Sequence, residues 1–206
     1  MTNPVLEELV LKLRDPATNR RDFRDYLERI GLLMGYDISL MLDTEPKQVT
    51  TMLGVPAQHT ICKTSPIVIA VLRAGLPFAL GISKAYSDSE LGFIAAERDE
   101  ETLIPKTGYL GMPDIASQEV ILADTMLATG GSVLACLDIL ERYSPKRIIV
   151  AGVIGSEPGI SRISAERPDC IIRCASVDPL LDDKGYIVPG LGDAGDRAYG
   201  RKMRTC

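Results

Sequence analysis

The chain of 206 residues is 46% apolar and 25% charged, the balance of a soluble globular protein with enough sequence for one substantial core. Its formal charge of −5 argues against a nucleic-acid or anionic-membrane surface, so an anionic ligand would need a few convergent cations. The longest apolar runs, such as residues 148–154, are strand-sized and far too short to span a bilayer, and residues 1–4 show no targeting pattern.

Residues 4–14 carry apolar side chains at near-helical spacing. Residues 20–42 repeat the pattern through Phe23, Tyr26, Leu27, Ile30 and Leu33, predicting two helices broken at Asp15 and Pro16. Residues 43–65 hold few long apolar runs, and the stretch 50–55 reads as a short exposed ribbon. From Pro66 the rhythm becomes strand, loop, helix. Strands are expected at 67–72, 91–95, 120–123, 147–153 and 170–175, with a weaker one at 107–111; helices are expected at 77–86, 133–142 and 159–167. Fully apolar strands alternating with helices predict an α/β protein, a mostly parallel sheet covered on both faces. Ligands of such sheets sit at the carboxyl ends of strands, where Arg73-Ala-Gly75 and the stretch from Asp124 to Ser132 both fall.

The most specific stretch runs from Val120 to Ser132. An apolar strand ends at Asp124, a short loop carries Thr129, Gly130, Gly131 and Ser132, and a helix follows. That layout aims backbone N–H groups and two hydroxyls at one point beside a helix N-terminus, where a phosphate is favoured, with Asp124 placed to hold an attached sugar. The Gly-Lys-Ser/Thr of a P-loop and the G-x-G-x-x-G of a dinucleotide site are both absent. On these residues alone, a Gly-rich turn in which Thr129 or Ser132 merely caps a helix stands as the alternative.

Arg73, taken singly, is a surface arginine in a turn. At the end of a buried strand, beside a glycine, it fits a diphosphate contact. Residues 97–101 read first as a solvated charge run. Residues 185–197 are rich in Gly and Asp, yet Tyr186, Ile187, Val188 and Leu191 give them an apolar side suited to a planar polar base. The five cysteines (Cys62, Cys136, Cys170, Cys174, Cys206) read as reduced thiols and point to the cytoplasm. Cys170 and Cys174 fall on a predicted strand, far from the single histidine, His59, so buried thiols outweigh a zinc pair.

The string from Asp124 to Ser132 resembles the phosphoribosyl-diphosphate (PRPP) loop of type I phosphoribosyltransferases, most closely the Asp-Pro-Met-Leu-Ala-Thr-Gly-Gly-Ser form of the uracil phosphoribosyltransferases. The resemblance extends over nearly the whole chain. Leu13-Arg14-Asp15 with Thr18, Phe23 and Arg24 is similar to that family's N-terminal signature, and Leu72–Leu76 to its pyrophosphate loop. Arg98, Glu100 and Thr102 also match, as does the segment 185–197.

This resemblance implies one phosphoribosyltransferase domain over 1–206. Its parts would be N-terminal helices at about 4–42, a core at about 66–180, and a small hood whose base-binding segment covers about 181–200. It implies transfer of 5-phosphoribosyl from PRPP to uracil, giving UMP and diphosphate. Asp124, Arg73 and Asp193 are the implied catalytic residues. PRPP would be held by Arg73, Arg98, Asp124, Thr125, Met126, Leu127, Ala128, Thr129, Gly130, Gly131, Ser132 and Asp193, and uracil by Ile187, Gly192, Asp193 and Ala194. Mg²⁺ would enter with PRPP, GTP is the implied effector, and a homodimer or homotetramer the implied assembly. A non-catalytic or regulatory PRPP- or nucleotide-binding protein on the same fold is one alternative, and an enzyme for another base a second. Three departures stand out: Thr125 for the family's proline, Glu97 ahead of Arg98, and a longer basic end, residues 200–206, expected to be solvated.

Overall fold

The computed structural model describes residues 3–98 and 105–202, with side chains at 96–107 outside that description. Two helices open the chain, α1 (Pro4–Arg14) and α2 (Arg20–Ser39), each with an asparagine cap. Asn3 Oδ1 accepts from the Val5 N–H at 3.0 Å, and Asn19 Oδ1 from the Asp22 N–H at 3.0 Å, satisfying first-turn donors that have no partner within the helix.

Strands β1 (Thr44–Thr50) and β2 (Pro56–Cys62) form an antiparallel hairpin, longer than the ribbon expected at 50–55. Then come β3 (Ile67–Leu72), α3 (Gly75–Ser83), β4 (Leu91–Arg98), β5 (Pro105–Gly111), β6 (Glu119–Leu127), α4 (Gly131–Leu140), β7 (Arg147–Ser156), α5 (Glu157–Glu166) and β8 (Ile171–Asp178). The chain closes with the two-residue strands β9 (Leu180–Leu181) and β10 (Ile187–Val188) and the short helix α6 (Ala194–Tyr199).

The main sheet has the order β5-β4-β3-β6-β7-β8. All its neighbours are parallel except β5, which runs antiparallel at the edge. Along β6, Val120 and Leu122 join the apolar layer that includes Val133, Leu137 and Ile163 of α4 and α5. Ile121 and Ala123 join the layer built on Phe23, Leu27, Ile30 and Phe78 of α2 and α3. This alternation explains the unbroken apolar runs: each strand must satisfy both faces. The mostly parallel sheet flanked by helices is therefore as expected from the sequence.

One expectation is corrected. Strand β6 does not end at Asp124 but continues to Leu127, because its ladder with β7 continues through Asp124 opposite Gly152 and Leu127 opposite Gly155. The segment 185–197 contains β10 and the start of α6.

Candidate active site

The order of the sheet reverses between β3 and β6, and a crevice opens above their carboxyl ends. From β3 the chain passes through Arg73 and Ala74 into α3. A Cβ on Gly75 would stand 2.6 Å from the Ala123 carbonyl oxygen, so only glycine lets α3 start this close to β6. Arg73 and Asp124 thus flank one crevice. The Arg73 guanidinium donates to Asp196 Oδ1 and to the Gly200 carbonyl, each at 3.1 Å.

Asp124 lies within β6, half-buried. Burial pushes its carboxyl up to about 6, against the backbone N–H groups of Met126 and Thr125, which favour the charged form; the Met126 N–H lies 3.4 Å from Oδ1. A carboxylate with that value is mostly ionised at neutral pH and accepts hydrogen bonds from hydroxyls. Thr125, standing where the resembling family has proline, is buried and contributes an N–H that proline lacks.

Beyond Leu127 the chain turns at Gly130 (φ +77) into α4. The N-cap of this helix is Gly130, which has no side chain of its own to cap the first-turn N–H groups. The N-terminal amides of α4 lie beside a hollow of about 260 Å³ lined by Met126–Gly130, Ser132, Val133 and Gly185. A helix N-terminus of this kind favours a phosphate. Ser156 fixes the loop from behind: its hydroxyl donates to the Ala128 carbonyl at 2.6 Å and accepts from the Gly159 N–H at 2.9 Å. Gly159 has no space for a side chain, because a Cβ there would strike the same carbonyl.

A larger cleft of about 740 Å³ adjoins this hollow. Arg73, Asp124, Thr125, Met126, Ala128, Ser132, Ile187, Gly192, Asp193 and Ala194 all line it. Leu127, Thr129 and Gly130 line only the smaller hollow, and the Leu127 side chain is buried in the core, leaving its backbone for any ligand. Gly131 lines neither and begins α4 behind them. Arg98 ends β4, but its side chain, that of Glu97, and residues Glu100 and Thr102 lie outside the described residues. Asp193 caps α6, Oδ1 accepting from the Asp196 N–H at 2.8 Å. Arg201 and Lys202, read from the sequence as solvated, are exposed but stand at the rim of this cleft.

Sequence reasoning did not single out Ser156 or Gly159 as supports; Ser156-Glu-Pro-Gly signals only a helix start. Nor did it identify the ties that hold the end of β8 and the C-terminal segment to the first two helices. Arg14 pairs with Asp178, and Arg24 donates to the Ala198 carbonyl at 2.6 Å. Burial works against the Asp178 carboxylate, but the Arg14 guanidinium and the Gly190 N–H outweigh it and hold the carboxyl below the usual range. Burial pushes the thiols of Cys136 and Cys174 up to about 12 and that of Cys170 up to about 11, so none is a ready nucleophile.

With this geometry in place, comparison with known proteins is decisive. A family model described as uracil phosphoribosyltransferase matches residues 1–201. The chain belongs to the uracil phosphoribosyltransferase family. It is 38% identical over 201 residues to the uracil phosphoribosyltransferase of Dictyoglomus turgidum, covering 97% of each chain. To that of Metallosphaera sedula it is 39% identical over 210 residues, covering 97% of this chain and 98% of the other. A solved structure of the AQ2163 protein from Aquifex aeolicus superposes with a TM-score of 0.90 at 32% identity, covering 97% of this chain and 96% of the other. A hypoxanthine-guanine phosphoribosyltransferase from Bacillus anthracis matches at TM-score 0.51 and 14% identity over 76% of this chain and 79% of the other, a likeness of fold alone.

Proposed function

We propose that this family member transfers 5-phosphoribosyl from PRPP to uracil, releasing diphosphate and leaving UMP. The observation that carries the reading is the convergence, on one crevice, of an arginine loop, an acid with a phosphate-binding helix start, and a segment that offers backbone groups to a base. The amides at the start of α4 hold the 5′-phosphate, and Asp124 accepts from ribose hydroxyls. Arg73 neutralises charge on the diphosphate as the C1–O bond breaks; Arg98 is assigned the same task on the resemblance. The reacting sugar acquires oxocarbenium character, so positioning and leaving-group stabilisation outweigh proton transfer. Backbone groups at Ile187, Gly192 and Ala194 read the edge of uracil, between apolar walls that include Tyr186 and Met126. Asp193 faces the PRPP side.

Mg²⁺ fits this donor set as a passenger of PRPP. Among the described residues no group of three His, Cys, Asp or Glu is placed to cage a metal, whereas PRPP brings its own oxygens. Bound there, the ion supplies positive charge to the leaving diphosphate.

Self-association as a homodimer or homotetramer is supported by the hairpin of β1 and β2. Two strands alone are marginal in water, and Val49, Met52, Leu53 and Val55 are exposed at or near its tip. GTP as an effector rests on the resemblance alone. A cytoplasmic setting is supported by Cys62, Cys136, Cys170 and Cys174, which are free thiols; among the described residues no helix is long and apolar enough to cross a membrane.

The test of the site is Asp124→Asn. It is expected to stay folded and to lose PRPP use; wild-type turnover would show that the acid does not hold the ribose.

A further inference from the structure

We infer that Arg14 and Asp178, neither of which lines the cleft, are positioning residues for the base: together they set the backbone of the segment that reads it. The inference rests on the proposed uracil reading of that segment. Arg14 is the last residue of α1, and Asp178 the last of β8. The guanidinium grips the carboxylate with both forks, Nη1 to Oδ2 and Nη2 to Oδ1, each at 2.7 Å. The same two nitrogens donate to the Gly190 carbonyl at 2.8 Å and to Ser176 Oγ at 3.1 Å. Asp178 Oδ2 in turn accepts from the Gly190 N–H at 2.8 Å. Both backbone polar groups of Gly190 are therefore held by one ion pair.

Gly190 is buried, has φ +58, and sits between Ile187 and Gly192, two of the positions assigned to uracil. A Cβ there would collide with the Ile187 carbonyl, so only glycine fits this turn, and because glycine is conformationally free the turn depends on its partners to keep its shape. A second arginine locks the far side. Arg197 of α6 donates to the Leu191 carbonyl at 3.0 Å and to the Asp15 carbonyl at 2.5 Å, bonds the Leu13 carbonyl, and lies 4.5 Å over the Phe23 ring. The segment from Gly190 to Leu191 is thus clasped from both ends to the last turn of α1. This gives the N-terminal signature Leu13-Arg14-Asp15 with Phe23 a place in base recognition, far from it in sequence.

Physical economy favours positioning over bulk stability. A buried ion pair rarely outperforms apolar side chains of similar size. What it adds is direction: planar, bidentate donors fix a backbone carbonyl and amide to one place. A base read by backbone amides needs that precision, since a small displacement misaligns every contact.

The decisive variant is the double replacement Arg14→Met/Asp178→Val, which removes both charges without stranding either; Arg14→Gln and Arg14→Lys accompany it. The double variant is expected to keep the wild-type melting temperature within a few degrees while KM for uracil rises about tenfold or more and KM for PRPP stays within about twofold. Arg14→Gln should show the same split, and Arg14→Lys, which keeps the charge without the fork, a smaller rise. Hydrogen exchange at residues 185–193 should quicken in the double variant and stay unchanged at 124–132. Equal rises in both KM values, or unchanged exchange at 185–193, would overturn the inference. If the wild-type protein made no UMP, the uracil reading would fall by itself, and the exchange measurement would still decide whether the pair sets this segment.

Discussion

Arg73 and Asp196 form an ion pair at the mouth of the cleft, Nη2 to Oδ1 at 3.1 Å, with both side chains about a third exposed. A pair this open is worth about 0.2–1 kcal/mol. Its importance lies elsewhere: the N–H groups that Asp196 occupies are the ones a diphosphate would need. Asp196→Asn removes a competing anion and is expected to tighten diphosphate binding by up to about fivefold, read by calorimetry at low salt. Weaker binding would mean that Asp196 orients Arg73 for the ligand instead of competing with it.

Asp124 is expected to set the acid limb of activity. Its carboxyl is raised from the ordinary 3.8 to about 6 by burial, so the ionised form, proposed to hold ribose hydroxyls, prevails only above that value. kcat/KM for PRPP is expected to rise through pH of about 6, and any residual turnover of Asp124→Asn to lack this limb. Stability runs the other way. A carboxyl that binds its proton more tightly when folded than unfolded loses stability as pH rises from 3.8 to about 6. Neutral Asn escapes that loss, so Asp124→Asn should be more stable than wild type by on the order of 2–3 kcal/mol at pH 8, and equal to it below pH of about 4. Thermal melts across that range check the sign.

Thr125 gives a finer test of the same carboxylate. Its N–H is one of two backbone donors that favour the charged form of Asp124. Thr125→Pro restores the residue of the resembling family and deletes that donor, so the acid limb of kcat/KM should move to higher pH. An unmoved limb would assign Thr125 no electrostatic part.

Much of the frame was legible because it is written in runs of adjacent residues. β-branched stretches such as residues 67–72 and 147–153 announce buried strands, and the Thr129–Ser132 stretch announces a turn into a helix. What escaped depends on distance or brevity. Arg14 and Asp178 are 164 positions apart, and nothing local marks either as half of a pair. Helix α6 has six residues, too few for a periodic signal. The end of β6 was misplaced because Asp124 looks like a strand terminus, whereas its register beside Gly152 keeps the backbone extended.

Ser156 shows how such hidden supports act. The hydroxyl is fully buried and bridges the Ala128 carbonyl to the Gly159 N–H. Ser156→Ala leaves both groups without that partner and should cost about 1–2 kcal/mol of stability. It should also raise KM for PRPP, with KM for uracil nearly unchanged, because the loss falls on the phosphate loop. A variant that melts lower yet keeps both KM values would confine Ser156 to stability.

The central claim is met most directly by incubating the protein with PRPP, Mg²⁺ and radiolabelled uracil, with cytosine, hypoxanthine and orotate in parallel. The expected result is UMP with equimolar diphosphate from uracil, and no comparable nucleotide from the other bases. PRPP binding without nucleotide formation from any base, or preferential use of hypoxanthine, would contradict it.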